Sequence, residues 1–239
     1  MSFKENTYQQ MSFTDSFSGL TAREQKALEK SWAKVFADEI FPAIDEKRFS
    51  VLYSDKASRP NTPINVIVGA LIIKELFDYS DDEMVENLML DFRIQYALHT
   101  TSFEEQPLSD KTLSRFPKRC YDYETLHNKD LYHDCVKDLS ASIAKLVGIS
   151  GKVRRMDSMM IESNVRRLSR MELIYTCILR NGVETVPSNI RKNYHLEKMP
   201  RGKQRGKFSF GSKIAALNFR KLFNYVKGLG HYTQNPVLA

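Results

Sequence analysis

Eight consecutive residues, Val66 to Ile73, carry no charged or hydrogen-bonding side chain. A segment that is apolar on every side must be covered on every side, so whatever this chain folds into is built around it. Its β-branched residues fit a buried strand. Its length and its start signal favour a helix: Thr62-Pro63 offers a capping hydroxyl followed by a proline at the first helical position, where the missing N–H costs nothing. The sequence therefore predicts a central buried helix running through Phe77.

Further helices follow from the same signals. Ser80-Asp81-Asp82-Glu83 reads as a capping box opening a second helix, with Met84, Val85, Leu88, Met89 and Phe92 facing inward. With only Asp78 and Tyr79 between them, the two helices form a helix-turn-helix-like unit. Ser109 can cap a third, with Leu113, Phe116 and Cys120 inward and Pro117 expected to kink or end it. Upstream, Ala22–Ile40 carries one helical stripe, and Asp45–Leu52 can add a turn or two, with Phe49 and Leu52 inward. Leu131–Val147 is amphipathic through Leu131, Cys135, Leu139, Ile143 and Leu146. Beyond Gly148 the character changes. Lys152–Met156 reads as a short strand ending at Asp157, Arg170–Arg180 as a helix, Asn181–Lys207 as a basic loop, and Ser212–Lys227 as a helix. The expected organisation is a flexible polar arm over 1–20, a helical domain over 21–150 and a basic segment over 151–239.

Charge divides the chain at the same place. Residues 1–151 hold 18 Lys and Arg against 24 Asp and Glu, a net of −6; residues 152–239 hold 18 against 5, a net of +13. So basic a segment suits a polyanionic partner. At 42% hydrophobic the chain can bury a core, which excludes wholesale disorder. Three cysteines, 120, 135 and 177, make no Cys-x-x-Cys pair and suit a reducing cytoplasm. No apolar run reaches the length of a membrane span, and Met1–Leu20 lacks the apolar stretch of a signal peptide, which argues against membrane and secreted classes.

Three motifs stand in a fixed order: Arg59-Pro60, then Leu76-Phe77-Asp78-Tyr79-Ser80-Asp81 after the apolar run, then Ser109-Asp110-Lys111-Thr112-Leu113-Ser114-Arg115-Phe116. Over about Phe36–Cys120 this order resembles the N-terminal domain of DDE transposases of bacterial insertion sequences, in the group that includes the insertion-sequence-five relatives. With the resemblance, the expected fold is mainly α: a helical N-terminal domain followed by an incomplete RNase H-like α/β remnant. The resemblance also implies that Asp157, in Arg155-Met156-Asp157-Ser158, matches the first aspartate of the catalytic triad and would be a metal ligand. Such enzymes cut and join DNA with a pair of divalent ions, Mg²⁺ by preference, held by several converging carboxylates.

The pattern then breaks off. No aspartate follows Asp157; the later acids are Glu162, Glu172, Glu184 and Glu197, none in the context of the family's final glutamate. Lys213-Ile214-Ala215-Ala216-Leu217-Asn218-Phe219 resembles the family's closing helix but arrives early, so the expectation is a truncated or internally deleted transposase without a functional Mg²⁺ pair. The partners expected are insertion-sequence end DNA and either a second copy or a full-length transposase. The DNA-contact candidates are Lys111, Arg115, Lys118 and Arg119 on the third helix, and Arg201, Lys203, Arg205 and Lys207 in the basic segment. Three readings stay open: a DNA transposase by descent that is catalytically incomplete, a non-catalytic remnant that inhibits the full-length enzyme, and a decayed product. Cys120, Cys135, His127 and His133 match no common zinc spacing and read as core cysteines and surface histidines.

Overall fold

The computed structural model describes residues 1–6, 16–54, 59–103, 106–148, 193–194 and 203–228. These residues form a helical assembly with no strand among them beyond isolated bridges of Ser2 to Ser54 and Pro60. In chain order the helices are α1 (Ala22–Glu29), α2 (Trp32–Val35), α3 (Ile64–Phe77), α4 (Asp81–Leu90), α5 (Phe92–Ala97), α6 (Asp110–His127), α7 (Leu131–Leu146) and α8 (Lys203–Val226). The strand expected at Lys152–Met156 and the helix at Arg170–Arg180 lie outside the described residues.

The apolar run is the centre of the fold, as its composition requires. Every residue of α3 from Ile64 to Ile73 is buried, and Leu76 with them. Gly69 marks the tightest crossing, for a Cβ placed there would stand 2.5 Å from Leu98 Cδ2. The helix start differs from expectation. Thr62 donates its hydroxyl to the Pro107 carbonyl at 3.4 Å, Pro63 takes the cap position, and the capping oxygen comes from Glu46, whose Oε2 accepts the Ile64 N–H at 3.3 Å. The other oxygen of Glu46 accepts the Asn6 N–H at 3.3 Å, so one buried carboxylate ties the N-terminal residues to the central helix.

Burial pushes the Glu46 carboxyl above its ordinary value of 4.5, against the pull of the backbone N–H groups. A raised acid makes a contribution to stability that is full below 4.5 and is lost as pH rises through the folded value. Glu46→Gln removes that titration and sets an amide donor against one backbone N–H, at a cost of about 1–3 kcal/mol. The stability gap between wild type and variant should be widest at acid pH and narrow toward neutrality. Urea midpoints across that range check it, and a gap that widens with rising pH would refute the assignment.

The Ser80–Glu83 capping box and the Ser109 cap form where the sequence places them: Ser80 Oγ accepts the Glu83 N–H at 3.2 Å, and Ser109 Oγ accepts the Thr112 N–H at 3.3 Å. Met84 and Leu88 face the core and Val85 and Phe92 pack against it, but Met89 points to solvent, one position off the buried stripe. Leu113, Phe116 and Cys120 are buried, and α6 continues through Pro117 to His127. The single stripe expected over Ala22–Ile40 is interrupted at Ser31, which caps α2, and closes in a wide turn over Phe36–Ile40 with the Phe41 N–H on the Phe36 carbonyl. Cys120 and Cys135 are buried and His127 and His133 exposed; burial pushes the Cys135 thiol up to about 12.

The largest departure concerns α8. Residues 203–207, expected as part of a basic loop, are helical, and the helix they open packs along α7 and α3. Ser212 to Phe219 are buried without a break. Phe219 meets Phe36 at 5.0 Å and Trp32 at 6.4 Å between ring centroids, and Phe208 stacks on Tyr132 at 3.8 Å. The polar groups carried inward all find partners: Tyr132 Oη lies 2.6 Å from Ser212 Oγ, and Asn218 Nδ2 donates to Ser140 Oγ at 3.0 Å. Lys213 Nζ reaches Glu75 Oε2 on α3 at 2.7 Å.

Candidate nucleic-acid interface

Between the first turns of α3 and α6 lies a cavity of about 510 Å³. Helix α6 contributes Lys111, Arg115 and Arg119, four residues apart and so stacked along one side of the helix, with the buried Phe116 beside them in the lining. The segment before α3 contributes Arg59. None of the described residues that line the cavity is acidic. No ion pair joins Arg59, Lys111 or Arg115 to a described residue, so their charge is free to act outward.

Two further contacts shape this cavity. The N-terminal residues bridge to the 54–61 segment, with the Ser2 N–H on the Arg59 carbonyl at 3.2 Å, the Asn61 N–H on the Ser2 carbonyl at 3.1 Å and the Lys4 N–H on Asn61 Oδ1 at 2.6 Å. These bonds hold the backbone that carries Arg59. The Arg119 guanidinium lies 5.0 Å from the centroid of the Tyr53 ring, half-buried at the cavity wall. Burial raises the Tyr53 phenol, and the guanidinium opposes that rise. Neither Arg59 nor Tyr53 is a candidate from sequence spacing, because each reaches α6 across the fold.

The remaining predicted cations divide. Lys118 and Arg205 are exposed and border a second cavity of about 330 Å³ on the other side of α6, lined by acids as well as bases. Lys207 borders it too, but its ammonium is engaged by Glu124 at 2.7 Å and by Asp130; burial works against its charge, and these two carboxylates outweigh it. Lys203 opens α8. Arg201 and Asp157 lie outside the described residues. Among the described residues no three His, Cys, Asp or Glu side chains converge as a metal would require, so no donor set for a Mg²⁺ pair is found there.

Residues 24–119 match the family model described as Transposase domain (DUF772). Over those residues, about two fifths of its length, the chain is similar to a transposase domain. Except for Met1, the described residues lining the basic cavity fall within this stretch, whereas α7 and α8 follow it. No curated protein and no solved structure matches the chain. None of the described helices is long and apolar enough to cross a membrane.

Proposed function

We propose that the transposase domain binds DNA of insertion-sequence ends through the face of α6 that carries Lys111, Arg115 and Arg119, joined by Arg59. The observation that carries this reading is four cations gathered at one cavity with no acidic side chain among its described lining. Phosphates are the ligand such a site suits, since cations held apart from carboxylates keep their charge available for counterion exchange. Lys118 and Arg205, exposed on the other side of the same helix beside acidic residues, stand apart from this site; Lys203 opens α8. The setting proposed is the cytoplasm, with a second copy or a full-length transposase as protein partner.

Cleavage is not proposed for this chain alone. Asp157 is the residue the family resemblance assigns to metal binding, and no aspartate follows it in the sequence. A site for two divalent ions needs several carboxylates. The reading favoured is an end-binding protein, by descent a transposase, that occupies DNA without cutting it and so competes with an intact enzyme.

The test is binding to an element end and to scrambled DNA over a salt series, with and without Mg²⁺. Affinity should fall steeply with salt. Lys111→Ala/Arg115→Ala should lower it by about tenfold or more and flatten the salt slope by about two phosphate contacts. DNA should be left uncut with Mg²⁺ present. Unchanged binding by the double variant would refute the site, and nicking that disappears in Asp157→Ala would refute the non-catalytic reading.

A further inference from the structure

We infer that the basic cavity takes a single unstacked nucleotide of the DNA, its phosphate on the arginines and its base against the apolar wall, as at an unpaired strand end. This rests on the DNA-binding reading and narrows it to a substrate class. A duplex is far wider than a cavity of about 510 Å³, and lying across its mouth it would meet only the side chains that project, Lys111, Arg115 and Arg59. Arg119 is placed differently. Its side chain is half-buried, with the guanidinium held over Tyr53 and Nη2 3.9 Å from Met1 Sδ, so it sits deeper in the cavity wall than those three. The size suits a small-molecule site, and such sites pair apolar walls with a few convergent polar groups.

The lining offers both parts of a nucleotide suitable surroundings: four cations, on α6 and at Arg59, and the rigid apolar surface of Pro60, Pro63 and Pro107. Gln106 belongs to the same lining. Its Nε2 donates to the Thr100 carbonyl at 3.2 Å, which fixes which end of the amide is which, and its Oε1 is shielded from solvent without a hydrogen-bond partner. A buried acceptor left unpaired is costly and calls for a partner. The terminal torsion of a glutamine is soft, so a base-edge N–H at the wall can satisfy it. The ring and exocyclic N–H groups of a base supply such a donor; a bare phosphate does not.

The experiment compares a blunt duplex with the same duplex carrying a short unpaired 3′ tail, using the full chain. Wild type should bind the tailed DNA about tenfold more tightly. Arg119→Gln should bring the tailed duplex down to the level of the blunt one. Gln106→Leu, which keeps the side-chain shape, should reduce the preference for a tail severalfold and leave the affinity for the blunt duplex unchanged. Equal wild-type affinity for both duplexes, lowered alike by Lys111→Ala/Arg115→Ala, would overturn this inference and leave the DNA-binding reading standing. Binding to neither duplex would remove both. Tighter binding of the same tail made of ribonucleotides would overturn the assignment to DNA.

Discussion

A chain ended at Gly151 should show no cooperative unfolding transition. The reason lies in α8, which buries Ile214, Leu217, Phe219 and Leu222 against α3 and α7. Burial of a large apolar side chain stabilises by about 1.5–3 kcal/mol, so four of them amount to roughly 6–12 kcal/mol, against a total of about 5–15 kcal/mol for a typical domain. Without α8 the helices before it keep their local signals but expose the apolar faces that α8 covers. Adding a peptide of residues 203–228 should restore the transition, since it returns the same side chains. The single substitution Phe219→Ala, at a ring in contact with Phe36 and Trp32, should cost about 3–5 kcal/mol. A truncated chain that melts as sharply as the full one would show that α8 is an accessory, not part of the core.

Lys213→Met should destabilise the fold by about 3–5 kcal/mol, the cost of leaving a buried charge uncompensated. Lys213 and Glu75 side chains are only 6% and 15% exposed, and the ion pair is one of the few polar links between α8 and α3. Glu75→Leu/Lys213→Met should recover most of that loss, because a well-packed apolar pair avoids the desolvation of both ions. Chemical denaturation of the two single variants and the double closes the cycle. If the double variant is as weak as the sum of the singles, the pair is not coupled and its short distance has no energetic meaning.

The local features of this fold are legible in the sequence and the non-local ones are not. Val66 to Ile73 had to be central whatever surrounded it, and the Ser80 and Ser109 caps are settled within four residues of chain. The cap of α3 is not: Glu46 reaches Ile64 from eighteen residues upstream, and no spacing rule connects them. The basic cavity is half legible. Lys111, Arg115 and Arg119 stand on one helix and share a side by its period, whereas Arg59 and Tyr53 join them only through tertiary packing. Lys207 illustrates the converse error. As a basic residue in a basic stretch it looks free, yet Glu124 and Asp130 lie within reach once α8 docks on α6 and α7. The helical start of α8 at Lys203 was hidden by Gly206 and Gly211, which weaken helix propensity; at Gly211 the Tyr132 ring stands 3.4 Å from where a Cβ would be, so packing against α7 prevails over propensity there.

The docking of α8 also sets a schedule. About eighty residues separate the end of α7 at Leu146 from the end of α8 at Val226, and a ribosome adding about 5–20 residues per second needs roughly 4–16 s to cross that interval. During that time the segments that form α3 and α7 are already made but lack the Phe219 and Leu222 side chains that pack on them. Closing so long a loop adds little entropy per extra residue, yet contacts of such separation slow the final step. A nascent chain of this protein therefore offers a sticky, half-assembled surface to chaperones and to its neighbours on the same message, and its yield in the cell should depend on how quickly the last helix arrives.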